Sequence, residues 1–455
     1  MVDNQTDMDK KFSLQILLLS LFFYSCGNSG SSNVPESPVN DSTVVVCDSD
    51  SVAKTEIVSD SFTVVKKDTS WIKRTPVVKG PLLVPTVKVK GIYVTGPTAG
   101  SKRMKEMVDL ITSTDMNAMV LDVKNDGGNI TYKINYQLAE ETGACMRYVR
   151  DMPALIKELH EKGIYVIGRI VCFKDPYLAK HKPELALCKP DGSPVADGKG
   201  LPWVNPYKKE VWDYLCSLAE QATLDGFDEI QFDYVRFPIG KDANQADYGV
   251  DLSTYSREQC LTDFFAYVQK RLHAKHIVYG ADLFGTIIGS EIDRDRTGQD
   301  YVEIATMMDA VCPMIYPSHY GHGTFGLNVP DAEPYQTIYK ALLLSKEQLK
   351  RTDSIPTAVI RPWLQCFSAP WVKGHITYGS KQIRQQIQAV YDAGYDEWIL
   401  WNAANKYGQV KNALTKGGEN KEDEKGKDVE DKSKEESPKA NDTTKTVRDT
   451  VVQGD

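Results

Sequence analysis

No two of the nine cysteines form a Cys-x-x-Cys pair, and no His, Cys, Asp or Glu cluster recurs at metal-ligand spacing. The sequence therefore offers neither a disulfide scaffold nor a zinc site as an organising principle. It also lacks a basic stripe: 54 Lys and Arg face 62 Asp and Glu, for a net charge of -8. A nucleic-acid partner has no electrostatic footprint here. The stretch Gly96-Pro-Thr-Ala-Gly-Ser-Lys-Arg103 superficially suggests a phosphate loop, but its spacing is wrong. Gly96 and Gly100 enclose one residue too few, Ser101 intervenes, and Arg103 replaces the magnesium-binding hydroxyl. Neither a nucleotide, a metal nor any other cofactor is expected.

Long apolar runs are missing too, except for one near the start. Lys10 and Lys11 precede Phe12-Ser-Leu-Gln-Ile-Leu-Leu-Leu-Ser-Leu-Phe-Phe-Tyr24, which Ser25-Cys26 follows. That run is short for a bilayer span and suits a secretion signal. A small residue before cysteine is similar to the lipobox of bacterial lipoproteins, so residues 1–26 are expected to be a lipoprotein signal peptide with Cys26 lipidated. Surface-exported lipoproteins of the Bacteroides type often carry acidic residues just after the cysteine; Gly27-Asn28-Ser29-Gly30 has none, so the lipoprotein resemblance implies a periplasm-facing position in the cell envelope. Residues 27–85, rich in Ser, Val, Asp and Thr, read as a flexible tether. Residues 416–455 are dense in Lys, Glu and Asp, have no aromatics, and read as a disordered tail.

The intervening residues 86–415 alternate strand-like and helix-like runs. Strands are expected at Val89–Thr95, Ala118–Lys124, Tyr165–Val171, Glu229–Val235, Val278–Phe284, Ala310–Tyr316, Thr357–Trp363 and Trp398–Asn402. Helical patterns separate them, and glycines suited to left-handed caps stand at Gly163, Gly226 and Gly394. Such units imply parallel strands with right-handed crossovers. Eight of them suggest a closed (β/α)8 barrel, with an open doubly wound sheet as the alternative. Cys172, Cys216 and Cys312 read as small core residues, while a disulfide among Cys145, Cys188 and Cys260 stays open.

In such a barrel, function gathers where the strands end, and successive side chains alternate between interior and helix layer. The stretch Gly226-Phe-Asp-Glu-Ile-Gln-Phe-Asp-Tyr-Val-Arg-Phe-Pro238 carries three carboxylates and an arginine. Parity sends Ile230, Phe232 and Tyr234 toward helices, and Glu229, Gln231 and Asp233 inward, with Asp233 nearest the mouth. Other strand ends offer Asp122 and Lys124, Arg169, Asp282, Tyr316 with His319, Arg361 with Trp363, and Trp401 with Asn402. Acids beside aromatic platforms suit carbohydrate: sugar rings stack on aromatics, and glycosidic bonds break between two carboxyl groups.

Lys90-Gly-Ile-Tyr-Val94, Leu121-Asp-Val-Lys124 and the Asp-Tyr-Val-Arg-Phe-Pro run carry a family resemblance. From about Val89 to Tyr407 the chain resembles a bacterial glycoside hydrolase domain, often filed as a domain of unknown function and similar to amylase-type barrels. The resemblance implies a nucleophilic aspartate at the end of strand four, the position of Asp233. It places a glutamate acid/base after strand five, where this chain offers Asp282, and an arginine where Gln231 stands.

The expectation is therefore a retaining glycoside hydrolase acting on a poly- or oligosaccharide, with Asp233 as nucleophile and Asp282 as acid/base. Asp122, Lys124, Arg169, Arg236, Tyr316, His319, Arg361, Trp363, Trp401 and Asn402 are expected to contact or tune substrate. Expected partners are a carbohydrate and, through the lipid, a membrane. The alternative is a non-catalytic glycan-binding or envelope scaffold.

Overall fold

The computed structural model describes residues 80–353 and 355–414. The signal segment, Cys26, most of the tether and the charged tail lie outside them. Among the described residues no helix is long and apolar enough to cross a membrane.

The strands are β1 (Lys90–Val94), β2 (Ala118–Lys124), β3 (Tyr165–Val171), β4 (Glu229–Asp233), β5 (Val278–Phe284), β6 (Ala310–Ile315), β7 (Val359–Ile360), β8 (Trp363–Gln365) and β9 (Trp398–Trp401). All pairings among them are parallel. β5 joins β6, and β9 joins β1, so the sheet closes. Because β7 and β8 both pair with β6, they are two halves of one stave. The result is the expected (β/α)8 barrel, with the seventh stave interrupted. The cause is Pro362, which has no N–H to give the ladder. Arg361 N–H still bonds to Val311 O at 2.9 Å, and Pro362 O accepts from Ile399 at 3.0 Å.

Helices run between the staves at Met104–Thr112, Met152–His160, Lys209–Leu224, Arg257–His273, Pro334–Leu349 and Ser380–Asp392. Several start on side-chain caps that satisfy otherwise orphaned N–H groups. Asp151 accepts from Ala154 N–H, and Ser256 with Gln259 forms a capping box. Gly226 has φ of 113°, a conformation that side chains resist, and it ends the Lys209–Leu224 helix just before β4.

Alternation along the staves divides the apolar core in two. Outward residues such as Ile230, Phe232, Leu121 and Val166 join the large helix-facing cluster. Tyr93, Ala118, Val120, Ile167, Cys312, Trp363 and Ile399 form a smaller interior cluster. The open question over Cys145, Cys188 and Cys260 is decided: all three carry free thiols, as do buried Cys172, Cys216 and Cys312. Gly96–Ala99 forms a short helical turn capped by Thr95. Arg103 then ties it to the far end of the chain, donating to Asn405 O at 2.7 Å.

Candidate active site

A cavity of about 310 Å³ opens where the staves end, and Asp233 and Asp282 both line it. That volume lies within the ordinary range for small-molecule sites. β4 is buried along its whole length and stops at Asp233, two residues short of the expected end. The reason is Tyr234, whose φ of 48° is left-handed and incompatible with a strand. This corrects the parity argument: the backbone turn brings Tyr234 to the cavity wall instead of leaving it wholly in the helix layer. A tyrosine there stores strain of about 1–3 kcal/mol, a feature that clusters at functional sites. The Asp233 carboxylate helps hold the turn, since Oδ1 accepts the Tyr234 N–H at 2.6 Å.

The other oxygen of Asp233 is held by Arg169, whose Nε and Nη2 donate to Oδ2 at 2.9 and 2.5 Å. Arg169 also bonds Asp122 at 2.7 Å and Asp126 at 2.5 Å. Its guanidinium lies 5.4 Å from the ring centres of both Tyr93 and Trp401. The Tyr93 hydroxyl donates to Asp122 Oδ2 at 2.7 Å. Burial pushes Asp122 up to about 6, against the pull of Arg169. For Asp126 burial also raises the pKa, but Arg169 and two lysines outweigh it and leave it below the usual carboxylate range.

Asp282 sits differently. Its Oδ1 accepts from Trp363 Nε1 at 2.6 Å, while Oδ2 has no partner among the described residues. Burial, and then the charge of Asp233, push its pKa well above the ordinary value. That setting favours the protonated form. The site thus pairs a carboxylate clamped by an arginine with a carboxylic acid that has one uncommitted oxygen.

Tyr316, Trp363, Trp401 and His319 also line the cavity, and Trp363 meets Trp401 edge-on at 5.4 Å. His319 packs between Tyr316 and Phe367, and desolvation moves its pKa down to about 4, so the ring is neutral at physiological pH. Arg236 reaches the cavity from the loop after β4. Asp122, Lys124, Arg361 and Asn402 do not line it. Lys124 is wholly buried, pairing with Asp175 at 2.9 Å and donating to Val171 O. Arg361 lies deeper, bonded to Glu229 at 2.7 Å and Glu397 at 2.8 Å. Asn402 Nδ2 donates to Cys366 O at 2.6 Å, which braces the last βα loop.

The long loop between β3 and the Lys209–Leu224 helix adds wall residues that strand ends alone do not reveal. Trp203 and the Lys174–Asp197 pair, at 2.6 Å, come from it. Trp203 is buried within a turn-rich segment, and an isolated tryptophan among turn residues was the one available signal. Among the described residues no His, Cys, Asp or Glu group is placed to hold a metal ion.

A closed parallel barrel with acids and aromatics at the mouth is the architecture of many carbohydrate-active proteins, although fold alone does not fix chemistry. Residues 91–407 match the family described as "putative glycosyl hydrolase domain", and the chain belongs to that family. A hypothetical protein from Ruminiclostridium thermocellum is 38% identical, spanning 42% of this chain and 96% of its own, with a TM-score of 0.39. The PgaB (BpsB) glycoside hydrolase domain from Bordetella bronchiseptica shares the fold at 13% identity and a TM-score of 0.53, covering 72% of this chain and 99% of that one. An α-galactosidase from Thermus thermophilus is 11% identical over 74% of this chain and 63% of its own, with a TM-score of 0.44. No curated protein matches the chain.

Proposed function

We propose that this protein hydrolyses glycosidic bonds of a poly- or oligosaccharide by a retaining mechanism. The observation that carries this reading is the asymmetric pair: Asp233 bonded to Arg169, and Asp282 buried with a raised pKa and a free Oδ2. Asp282 protonates the leaving oxygen while Asp233 attacks the anomeric carbon, giving a glycosyl-enzyme. Asp282, now ionised, takes a proton from water, and that water releases the sugar and regenerates both groups. Arg169 keeps Asp233 oriented during both steps, and Trp363 holds Asp282 through its indole N–H. Trp401, Trp363 and Tyr316 supply faces on which a sugar ring stacks. The family membership and the glycoside hydrolase fold neighbour support the same class of chemistry.

A screen of polysaccharides and envelope glycans tests the reading, run with wild type and Asp233→Asn side by side. Released reducing ends from wild type alone are expected. Binding of a glycan without any release would replace the enzyme by the scaffold alternative. Anomeric configuration of the first product, followed by NMR, decides retention. We further propose that Cys26 carries the lipid and that the enzyme faces the periplasm; a Cys26→Ser chain should then lose membrane association and lipid labelling.

A further inference from the structure

Three buried arginines serve this barrel, and one of them lacks a carboxylate. Arg169 and Arg361 are each clamped by acids, whereas Arg236 forms no ion pair among the described residues. It is only 9% exposed, yet it lines the cavity. Its guanidinium lies against Phe284, Trp203 and Tyr234, with ring centres at 4.7, 5.0 and 5.2 Å. Of five N–H donors, one bonds to protein among the described residues, from Nη1 to Phe237 O at 3.0 Å. Desolvation lowers its pKa, though a guanidinium stays charged at any physiological pH. The charges of Asp233 and Asp197 reach it without direct contact, and a desolvated cation with no carboxylate against it is costly, which aromatic faces offset only in part.

The pairing of charges in the surrounding wall leads to the same residue. Arg169, Arg236, Lys174 and Lys199 line the cavity, against Asp126, Asp197, Asp233 and Asp282. Asp122 adds a further carboxylate on Arg169, so the opening for an anion is local to Arg236 and not a property of the wall as a whole. Lys174 is committed to Asp197, Arg169 to its aspartates, and Lys199 is exposed and has an interaction of its own, whereas Arg236 offers open donors from a buried position.

We propose that the site takes an acidic sugar, a glycan unit bearing a carboxylate that docks on the open edge of Arg236. The proposal rests on the hydrolase reading only for the sugar, and goes beyond it in assigning the charge. A guanidinium edge matches a planar carboxylate with two parallel hydrogen bonds. The aromatic sandwich fixes the plane of the fork before substrate arrives, which limits the ordering cost of binding.

The test uses the Asp233→Asn chain, so that ligand is not consumed, with affinity read by calorimetry. Uronic-acid oligosaccharides are compared with their carboxyl-reduced neutral counterparts and with sulfated oligosaccharides of equal length. The acidic forms should bind at least about tenfold tighter than the reduced ones, roughly 1.4 kcal/mol. Arg236→Gln should erase that preference, while Arg236→Lys keeps part of it. Equal affinity for reduced forms, tighter binding of the sulfated forms, or an undiminished preference in folded Arg236→Gln each overturns the proposal. If Arg236→Gln does not fold, the wild-side-chain preference and Arg236→Lys decide. The two readings also fail separately. Cleavage of neutral glycans alone removes the acidic substrate and keeps the hydrolase; Arg236-dependent acidic binding without cleavage by wild type does the reverse.

Discussion

Deep in the barrel, Arg361 bridges Glu229 and Glu397; higher up, Arg169 gathers Asp122, Asp126 and Asp233. Both are buried guanidiniums bonded to carboxylates, and composition alone makes them equivalent. Their surroundings do not. The Arg361 group is closed off: Tyr165 donates to Glu229 at 3.3 Å, and Glu397 accepts the Val89 N–H at 3.1 Å. It joins staves to each other and does not line the cavity at the barrel mouth. The Arg169 group opens onto one, beside a strained Tyr234 and a second acid with an unpartnered oxygen. An ion cluster is structural when its own members saturate it, and available for chemistry when some of its capacity faces a ligand.

The largest effect expected is on the upper group. Asp233→Asn should lower turnover at least ~10³-fold with the chain still folded and its melt only modestly lowered, because the amide oxygen still accepts from Arg169 while the amide NH2 now faces the Tyr234 N–H. A variant that failed to fold would erase the distinction between the two groups. Removing Arg361 tests the opposite side. Arg361→Leu leaves two buried carboxylates without their cation and should cost about 3–5 kcal/mol of stability by denaturant titration. Activity per folded molecule should be retained, and a selective loss of activity would move Arg361 into the site.

Asp282→Asn should reduce hydrolysis about 10²–10⁴-fold for poor leaving groups, and much less for an activated aryl glycoside that needs no protonation. An equal loss on both substrates would deprive Asp282 of its role as the acid. The pH profile is a related check. With its pKa raised, Asp282 keeps its proton above the ordinary carboxylate range, so the alkaline limb of kcat/KM should lie above that range. That limb should disappear in Asp282→Asn.

The smallest effect concerns Asp122. Its pKa rises from 3.8 to about 6 on folding, so the folded state binds more protons in that interval. Its favourable contribution is full below about pH 4 and fades as pH approaches 6, by roughly 3 kcal/mol at most. Asp122→Asn should flatten that slope in stability measured across the interval. An unchanged slope would show that Asp122 ionises alike in both states.

Much of this could be read along the chain. The stave positions, the helix between each pair, and the inward set Glu229, Gln231 and Asp233 all follow from local periodicity, as Leu121 and Asp122 on opposite faces of β2 illustrate. Two failures have local causes that were visible but misjudged. Pro362 splits the seventh stave, and Tyr234 leaves β geometry one residue after Asp233, so alternation no longer predicts its direction. Other outcomes had no local sign. Arg361 and Arg169 both stand on inward parity, and height within the barrel separates them, because each finds partners on staves distant in sequence.

By itself the sequence determined the barrel, since hydrophobic periods of two and of about 3.6 residues admit few closed arrangements. It also determined which residue types gather at the strand ends. Only tertiary structure decided which charges neutralise one another. Pairing energies depend on distance and on exclusion of water, and both are set by residues far apart in the chain. That is why Lys124 is spent on Asp175 and Arg361 on Glu229, while Asp282 keeps an idle oxygen and Arg236 keeps open donors.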